Sequence, residues 1–380
     1  MSDAKERVLV VFVDALGPAQ LARFRSEFAF LEHDKPLNGV LGYSSGALAT
    51  VLTGAPPSIH GRMCLFTARE PDTASMLRPL RWLGLLPSIL HERNAFRRVL
   101  SKALATAEGL TGYVALHRVP PAAFDWLDMP EHEDIFHADS IGNAATFLAD
   151  ARSRGLSVYA APWQLAEEDR WAHAHAVLER SPPDLAFLYA AALDGALHRT
   201  GNGSDETHAV IHNIAENIAR ARSAMSRGGK VVRTIVVGDH GMADVNATVD
   251  PRTLLRDLGS ARVFVDSTML RLWGSPSELD AAREAIRKAA LPGTYLDESS
   301  LQNRQAAMEK HAFGDAMFVL DEGVIFAPSY VGGKVAGMHG YDIVSTSARA
   351  ALATDFEIHD DITEIASVAG IVRSRLGVSA

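Results

Sequence analysis

The sequence predicts an α/β protein with a mostly parallel central sheet and helices on both faces. Two observations carry that expectation. Residues 7–13, 184–193 and 233–238 are nearly continuous apolar runs, two of them rich in β-branched side chains, the pattern of strands buried on both faces. Amphipathic helical patterns lie between them, as alternating β and α units require.

Taken in order, the run at 7–13 leads into Asp14, and a short apolar helical segment follows the serine pair Ser44 and Ser45. Residues 140–155 read as a helix and 155–162 as the strand after it. The run at 184–193 is expected to place Asp194 at a strand end, and the stretch from Thr207 reads as a long amphipathic helix. The run at 233–238 leads into Asp239 and His240. Two stretches break this rhythm, so the chain is expected to be one catalytic core over residues 1–380 with two insertions. One is a helical cap at 63–138; the other is a smaller α+β insertion at 259–333, with a hairpin turn at 321–323.

Composition narrows the function classes. The chain has 380 residues, 47% of them hydrophobic and 22% charged, a balance that supports a packed core rather than disorder. A net charge of −9 argues against a binder of nucleic-acid polymers. The single cysteine, Cys64, excludes an intrachain disulfide framework and a zinc site of several thiolates. The apolar run before Asp14 is too short to span a membrane and lacks a cleavage pattern. A soluble, cytoplasmic protein without a transmembrane segment is expected.

Ligands of open α/β sheets bind beyond the carboxyl ends of the strands, which brings Asp14, Asp194 and Asp239 toward one place. Each aspartate has suitable company. His198 follows Asp194 by one helical turn, His240 follows Asp239 directly, and His339 stands between glycines in GMHGYD. Carboxylates and neutral imidazoles are the usual ligands of Zn²⁺ and related ions. Singly, each is more often a helix cap or a hydrogen-bonded pair; together they point to metal. The serines at 44–45 sit where a hydroxyl normally caps a helix, and where backbone N–H groups also favour a phosphate.

Other features read as structural. His173 and His175 diverge on a helix, His208 and His212 belong to a packed or solvated helix face, and His60 shapes a loop. The sequon at Asn202 and the two GGK tripeptides lack supporting context. Residues 78–102 carry six basic side chains against Glu92, a lid for an anionic substrate or a solvated face.

The segments VFVDALG, LATVLTGAPPSIHG, YAAALDGALH, VVGDHGM and GMHGYD, in that order, resemble the alkaline phosphatase superfamily, and within it the type I phosphodiesterase/nucleotide pyrophosphatase branch. The resemblance implies an alkaline-phosphatase-like three-layer sandwich. It also implies two divalent ions, zinc in first place and manganese as the alternative. Asp194, His198 and His339 would hold one ion; Asp14, Asp239 and His240 would hold the other, with Ser44 as an added ligand and the catalytic nucleophile. The family's spacing from nucleophile to Thr-Gly selects Ser44 over Ser45. The implied activity is hydrolysis of a small anionic phosphoester through a phosphoserine-type intermediate. A phosphonate hydrolase or phosphoryl transferase is the enzymatic alternative, and a binding protein that retains the fold without turnover is the third. Gly46 and Leu48 depart from the sulfatase signature, and Ala47 replaces the asparagine common in the phosphodiesterase branch.

Overall fold

A computed structural model describes residues 6–69, 77, 80–81, 116–129 and 134–378. The basic stretch 78–102 therefore lies outside the described residues except for Leu80 and Arg81, as do the long helical patterns around it. The chain forms two compact units. One comprises Met1–Met63, Glu133–Asp244 and Val335–Ala380; the other comprises Cys64–His132 and Val245–Lys334. The insertion bounds read from sequence were 63–138 and 259–333.

The first unit is built on six strands: β1 (Glu6–Val13), β2 (His33–Leu37), β3 (Val158–Ala160), β4 (Leu185–Ala190), β5 (Val231–Val237) and β6 (Ala350–Thr354). They lie in the order β2-β6-β5-β1-β4-β3. β1 is central, parallel to β4 and β5, and only β6 runs against its neighbours. Alternation along β1 feeds two cores. Leu9, Val11 and Val13 pack into one hydrophobic cluster, Val8, Val10 and Phe12 into the other, and all six are buried. Helices cover both faces, named in chain order α1 (Ser44–Thr53), α2 (Phe147–Ser153), α3 (Glu167–Arg180), α4 (Ala192–Thr200), α5 (Asp205–Met225) and α6 (Ser367–Leu376). Residues of α3 and α5 pack on the first cluster, and residues of α1, α2 and α6 on the second. This is the three-layer, mostly parallel sandwich expected from the apolar runs.

Three local expectations are corrected. The helix expected from residue 140 begins only at Phe147, because Ser140–Ile141 and Ala144–Ala145 form a tight antiparallel pair around Gly142, whose φ is +55°. Thr146 then caps α2 by accepting the Ala149 amide at 3.1 Å. Asp194 is not at a strand end, since β4 stops at Ala190 and Asp194 lies in the first turn of α4. The alanine run between them has the high helix propensity that ends the strand early.

The third correction concerns residues 321–323 in the second unit. They do turn the chain, but the flanking strands do not pair with each other. Ala316–Leu320 already has both edges occupied, by Met269–Trp273 and Gly293–Leu296, within a four-stranded antiparallel sheet completed by Arg262–Val265. Val324–Phe326 pairs instead, in parallel, with Ala247–Val249. The helix Pro276–Ala289 of this unit starts with a reciprocal capping box between Ser275 and Glu278. Arg271 is wholly buried here; its Nε donates to Asp266 Oδ2 and its Nη1 to the Phe66 carbonyl, both at 2.6 Å.

Candidate active site

All seven candidate residues lie in the first unit and gather at the carboxyl ends of β1, β4 and β5. Asp14 follows β1, and its amide donates to the Ala190 carbonyl at 2.9 Å, locking the ends of β1 and β4 together. Asp239 follows β5 after Gly238. A Cβ on Gly238 would stand 1.9 Å from the Leu16 carbonyl oxygen, so only glycine lets these two strand ends approach this closely. The Ala15 amide then donates to Asp239 Oδ1 at 2.9 Å and fixes that carboxylate.

Asp194 and His198 share a face of α4, with His198 Nε2 3.2 Å from Asp194 Oδ1. His339 Nε2 lies 3.5 Å from the same oxygen, and its ring stacks on His240 with centroids 3.7 Å apart. His240 Nε2 is 3.1 Å from Asp239 Oδ2 and 3.7 Å from Asp14 Oδ1. Ser44 opens α1. The position before it, Tyr43, is extended and makes no side-chain cap, so the Ser44 hydroxyl is not a cap either. That hydroxyl donates to Asp14 Oδ1 at 3.1 Å and stands 3.1 Å from His240 Nε2. The Ser45 hydroxyl is buried without a partner.

The donor set fits divalent ions. His198 Nδ1 donates to the Gly337 carbonyl and His240 Nδ1 to the Gly241 carbonyl, each at 2.8 Å. With those hydrogens on Nδ1, the Nε2 lone pairs face carboxylate oxygens, an arrangement that is repulsive until a cation or proton stands between them. Asp194 Oδ1 and Asp239 Oδ2 are buried with no hydrogen-bond partner. Such unsatisfied buried oxygens are costly on their own and are what a metal would satisfy.

Two groups have ligand atoms within 4.8 Å of one another: Asp194, His198 and His339, and Asp14, Asp194 and His240. The first is the trio that the resemblance implied. The second has Asp194 where Asp239 was expected, while Asp239 stands beside it with one oxygen on the Ala15 amide and the other 3.1 Å from His240 Nε2.

Electrostatics register the same demand for positive charge. Burial, then the carboxylates of Asp239 and Asp194, push Asp14 well above the usual carboxylate range. Burial works against the charged form of His240, but Asp239, Asp14 and Asp194 outweigh it and raise the imidazole to about 9. For Asp239 burial is likewise overcome, here by the His240 charge and hydrogen bonds, and its carboxyl is held down. Asp194 similarly overcomes burial at His198 and raises it. Burial, His240 and His198 hold His339 well below the ordinary imidazole value.

A family model described as type I phosphodiesterase / nucleotide pyrophosphatase matches residues 43–342. The chain belongs to this family. It is therefore a hydrolase acting on phosphoester bonds, in a metal-dependent family. No curated protein matches the sequence. Solved structures do. Murine ectonucleotide pyrophosphatase/phosphodiesterase 5 has a TM-score of 0.69 at 16% identity, over 99% of this chain and 96% of that one. The human counterpart gives 0.67 at 16% over the same shares. An inactive threonine-to-alanine variant of the murine protein in complex with AMP gives 0.68 at 17%, again over 99% and 96%. At these identities the likeness is one of fold.

The site contains two further side chains that sequence reading passed over. Tyr189 donates its hydroxyl to Asp14 Oδ2 at 2.9 Å, and burial, then the Asp14 charge, drive its phenol well above the ordinary value. Glu167 accepts the amides of Ala191 and Ala192 at 2.6 and 2.7 Å and so holds the start of α4, which carries Asp194. The tyrosine was hidden in an apolar strand run and the glutamate in a polar helix. No helix among the described residues is long and apolar enough to cross a membrane.

Proposed function

We propose that this phosphodiesterase hydrolyses a small anionic phosphoester through Ser44, with two divalent ions held by Asp14, Asp194, His198, Asp239, His240 and His339. Three imidazoles with three carboxylates favour zinc, with manganese as the alternative. The observation that carries this reading is the Ser44 hydroxyl, 3.1 Å from both Asp14 Oδ1 and His240 Nε2, beside buried carboxylate oxygens that have no partner. When bound, the ions would lower the proton affinity of the hydroxyl and offset negative charge on the phosphoryl oxygens.

The residues then divide the work. Ser44 Oγ gives up its proton to solvent and attacks phosphorus; the bond to the leaving oxygen breaks, and that oxygen departs with the electron pair and takes up a proton from solvent. Water attacks the resulting phosphoserine-type intermediate, its oxygen bonds to phosphorus as the bond from phosphorus to Oγ breaks, and the proton it loses returns to Ser44 Oγ. Asp14 orients the hydroxyl, and Tyr189 holds Asp14 through its other oxygen. The carbonyls of Gly337 and Gly241 fix the ring orientations of His198 and His240.

The test is a rapid quench with bis(4-nitrophenyl) phosphate and 4-nitrophenyl phosphate, followed by peptide mass spectrometry. A phosphoryl or phosphodiester adduct on Ser44 is expected, together with about two zinc or manganese ions per chain by elemental analysis. Turnover without an adduct, or an adduct on another residue, overturns the nucleophile; an ion-free active protein overturns the metals.

A further inference from the structure

Arg170, in the first turns of α3, is a buried cation without an anion. It is 6% exposed, its Nε and Nη1 have no hydrogen-bond partner, and no carboxylate among the described residues forms an ion pair with it. Glu167, one turn earlier on the same helix face, would be the ordinary partner. Its Oε2 instead accepts the amides of Ala191 and Ala192. The guanidinium lies over the Tyr189 ring, 5.1 Å from its centroid. That ring stands on β4 opposite Phe12 of β1, with Phe12 and Phe136 at 5.7 and 6.2 Å between centroids. Its hydroxyl donates to Asp14 Oδ2, and Asp14 Oδ1 accepts the Ser44 hydroxyl.

These contacts form one unbroken series from guanidinium to nucleophile. An uncompensated buried charge is costly, and a carboxylate partner would remove that cost while cancelling the field over the ring. Left unpaired, the cation acts on the negative face of the phenol. Electron density drawn toward the guanidinium leaves the hydroxyl hydrogen more positive, so Tyr189 grips Asp14 Oδ2 more firmly. A carboxylate held by one oxygen cannot turn freely, which keeps Oδ1 toward Ser44. We propose that Arg170 is a positioning residue for the hydrolysis, acting on Asp14 and Ser44 through Tyr189. This deepens the proposed function and rests on it for the role of Ser44.

The experiment places Arg170→Met, Arg170→Gln and Arg170→Lys in the wild-type and Tyr189→Phe backgrounds and assays the metal-loaded proteins with bis(4-nitrophenyl) phosphate. Arg170→Met and Arg170→Gln should each lower kcat about 3–30-fold, the range of a desolvated cation–π contact, and leave KM within about threefold. Arg170→Lys keeps a cation and should recover part of the loss. In the Tyr189→Phe background, Arg170→Met should lower kcat by less than about a further twofold, because the hydroxyl it acts through is gone. The melting temperature of Arg170→Met should not fall, since the change removes an uncompensated charge. If Arg170→Met does not fold, Arg170→Gln against Arg170→Lys carries the same comparison. Fluorine NMR of the metal-free protein labelled with 3-fluorotyrosine reads the ring without turnover. The Tyr189 resonance, assigned by its loss in Tyr189→Phe, should move in Arg170→Met and Arg170→Gln and return part of the way in Arg170→Lys.

Equal losses in the two backgrounds would mean that Arg170 acts without Tyr189. A loss that Arg170→Lys does not relieve, or one that a fall in melting temperature accounts for, would make Arg170 structural. Each overturns the proposal, as do unchanged kinetics or an unmoved resonance. Absence of turnover on the aryl diester in the wild type would instead fail the hydrolytic reading of Ser44, while the resonance still decides whether Arg170 acts on Tyr189.

Discussion

The two units each bury an arginine, and they treat it in opposite ways. Arg271, in the second unit, is fully buried and ion-paired from within, with only its Nη2 lacking an acceptor. Asp266 and the Phe66 carbonyl accept its hydrogens, and Phe264 lies under its guanidinium at 4.6 Å. Arg170, in the first unit, has an aromatic neighbour but, among the described residues, no acceptor for its Nε and Nη1. The same contrast holds for carboxylates. Asp266 is 2% exposed and ion-paired, whereas Asp194 and Asp239 each keep one buried oxygen unpartnered. A buried charge that the chain itself neutralises is part of the fold. One that it leaves open costs stability, and the cost is recovered when a ligand arrives.

The largest effect expected from this contrast is at Ser44. Ser44→Ala should lower turnover by about 10⁴-fold or more, the scale of losing a covalent nucleophile. Its stability should stay within about 0.5 kcal/mol of wild type, because the hydroxyl caps no helix. Steady-state kinetics alongside urea denaturation measures both quantities. Retention of more than a tenth of the activity would remove Ser44 from the mechanism.

The converse holds for Arg271. Arg271→Met leaves Asp266 buried without its partner and should cost about 3–5 kcal/mol. Adding Asp266→Leu should restore most of that loss, since an apolar pair of similar volume is often as stable as a buried ion pair. Anion affinity at the first unit should not change in the double variant. A double variant as unstable as the single one would mean that the arginine matters for shape and not for charge.

Removing the ions comes next in size. At a hundredfold excess over its dissociation constant, a ligand specific for the native state adds about 2.7 kcal/mol. Exhaustive chelation should therefore lower the melting temperature, and stoichiometric zinc should restore it. Asp194→Asn should blunt the response most, since Asp194 belongs to both groups of closely spaced ligands. A chelator-treated protein that melts as before would show that the unpartnered oxygens are not metal-facing.

Much of this arrangement was legible in the sequence. The runs that became β1, β4 and β5 could be read because strands buried on both faces leave nothing but apolar residues. Asp14 and Asp239 followed from the ends of two of them. Asp194 was placed on the wrong element, because an alanine run is apolar enough to extend a strand and helical enough to end one. Pairing partners were less legible. Nothing local to residues 316–326 says that both edges of one strand are already occupied. That Arg170 lacks acceptors and that Tyr189 holds Asp14 were not legible at all, because sequence periodicity shows that a side chain is buried and not whether it is satisfied.

The smallest expected effect is the sharpest check, because it separates two adjacent serines. The Ser45 hydroxyl is buried and unpartnered, so a rule based on missing partners alone would assign it a ligand as well. Charge makes the difference. An unpaired hydroxyl costs about 1–3 kcal/mol, whereas an unpaired ion costs more and demands a counter-charge. Ser45→Ala discards a group that gains nothing in the folded state, so stability should rise slightly or stay within about 1 kcal/mol. Turnover should stay within about threefold, because neither Asp14 nor His240 is hydrogen-bonded to Ser45. Parallel kinetics and melting curves of Ser44→Ala and Ser45→Ala read both outcomes. If Ser45→Ala abolishes turnover while Ser44→Ala spares it, the nucleophile lies one residue further along α1. An open neutral group would then have to be read as seriously as an open charge.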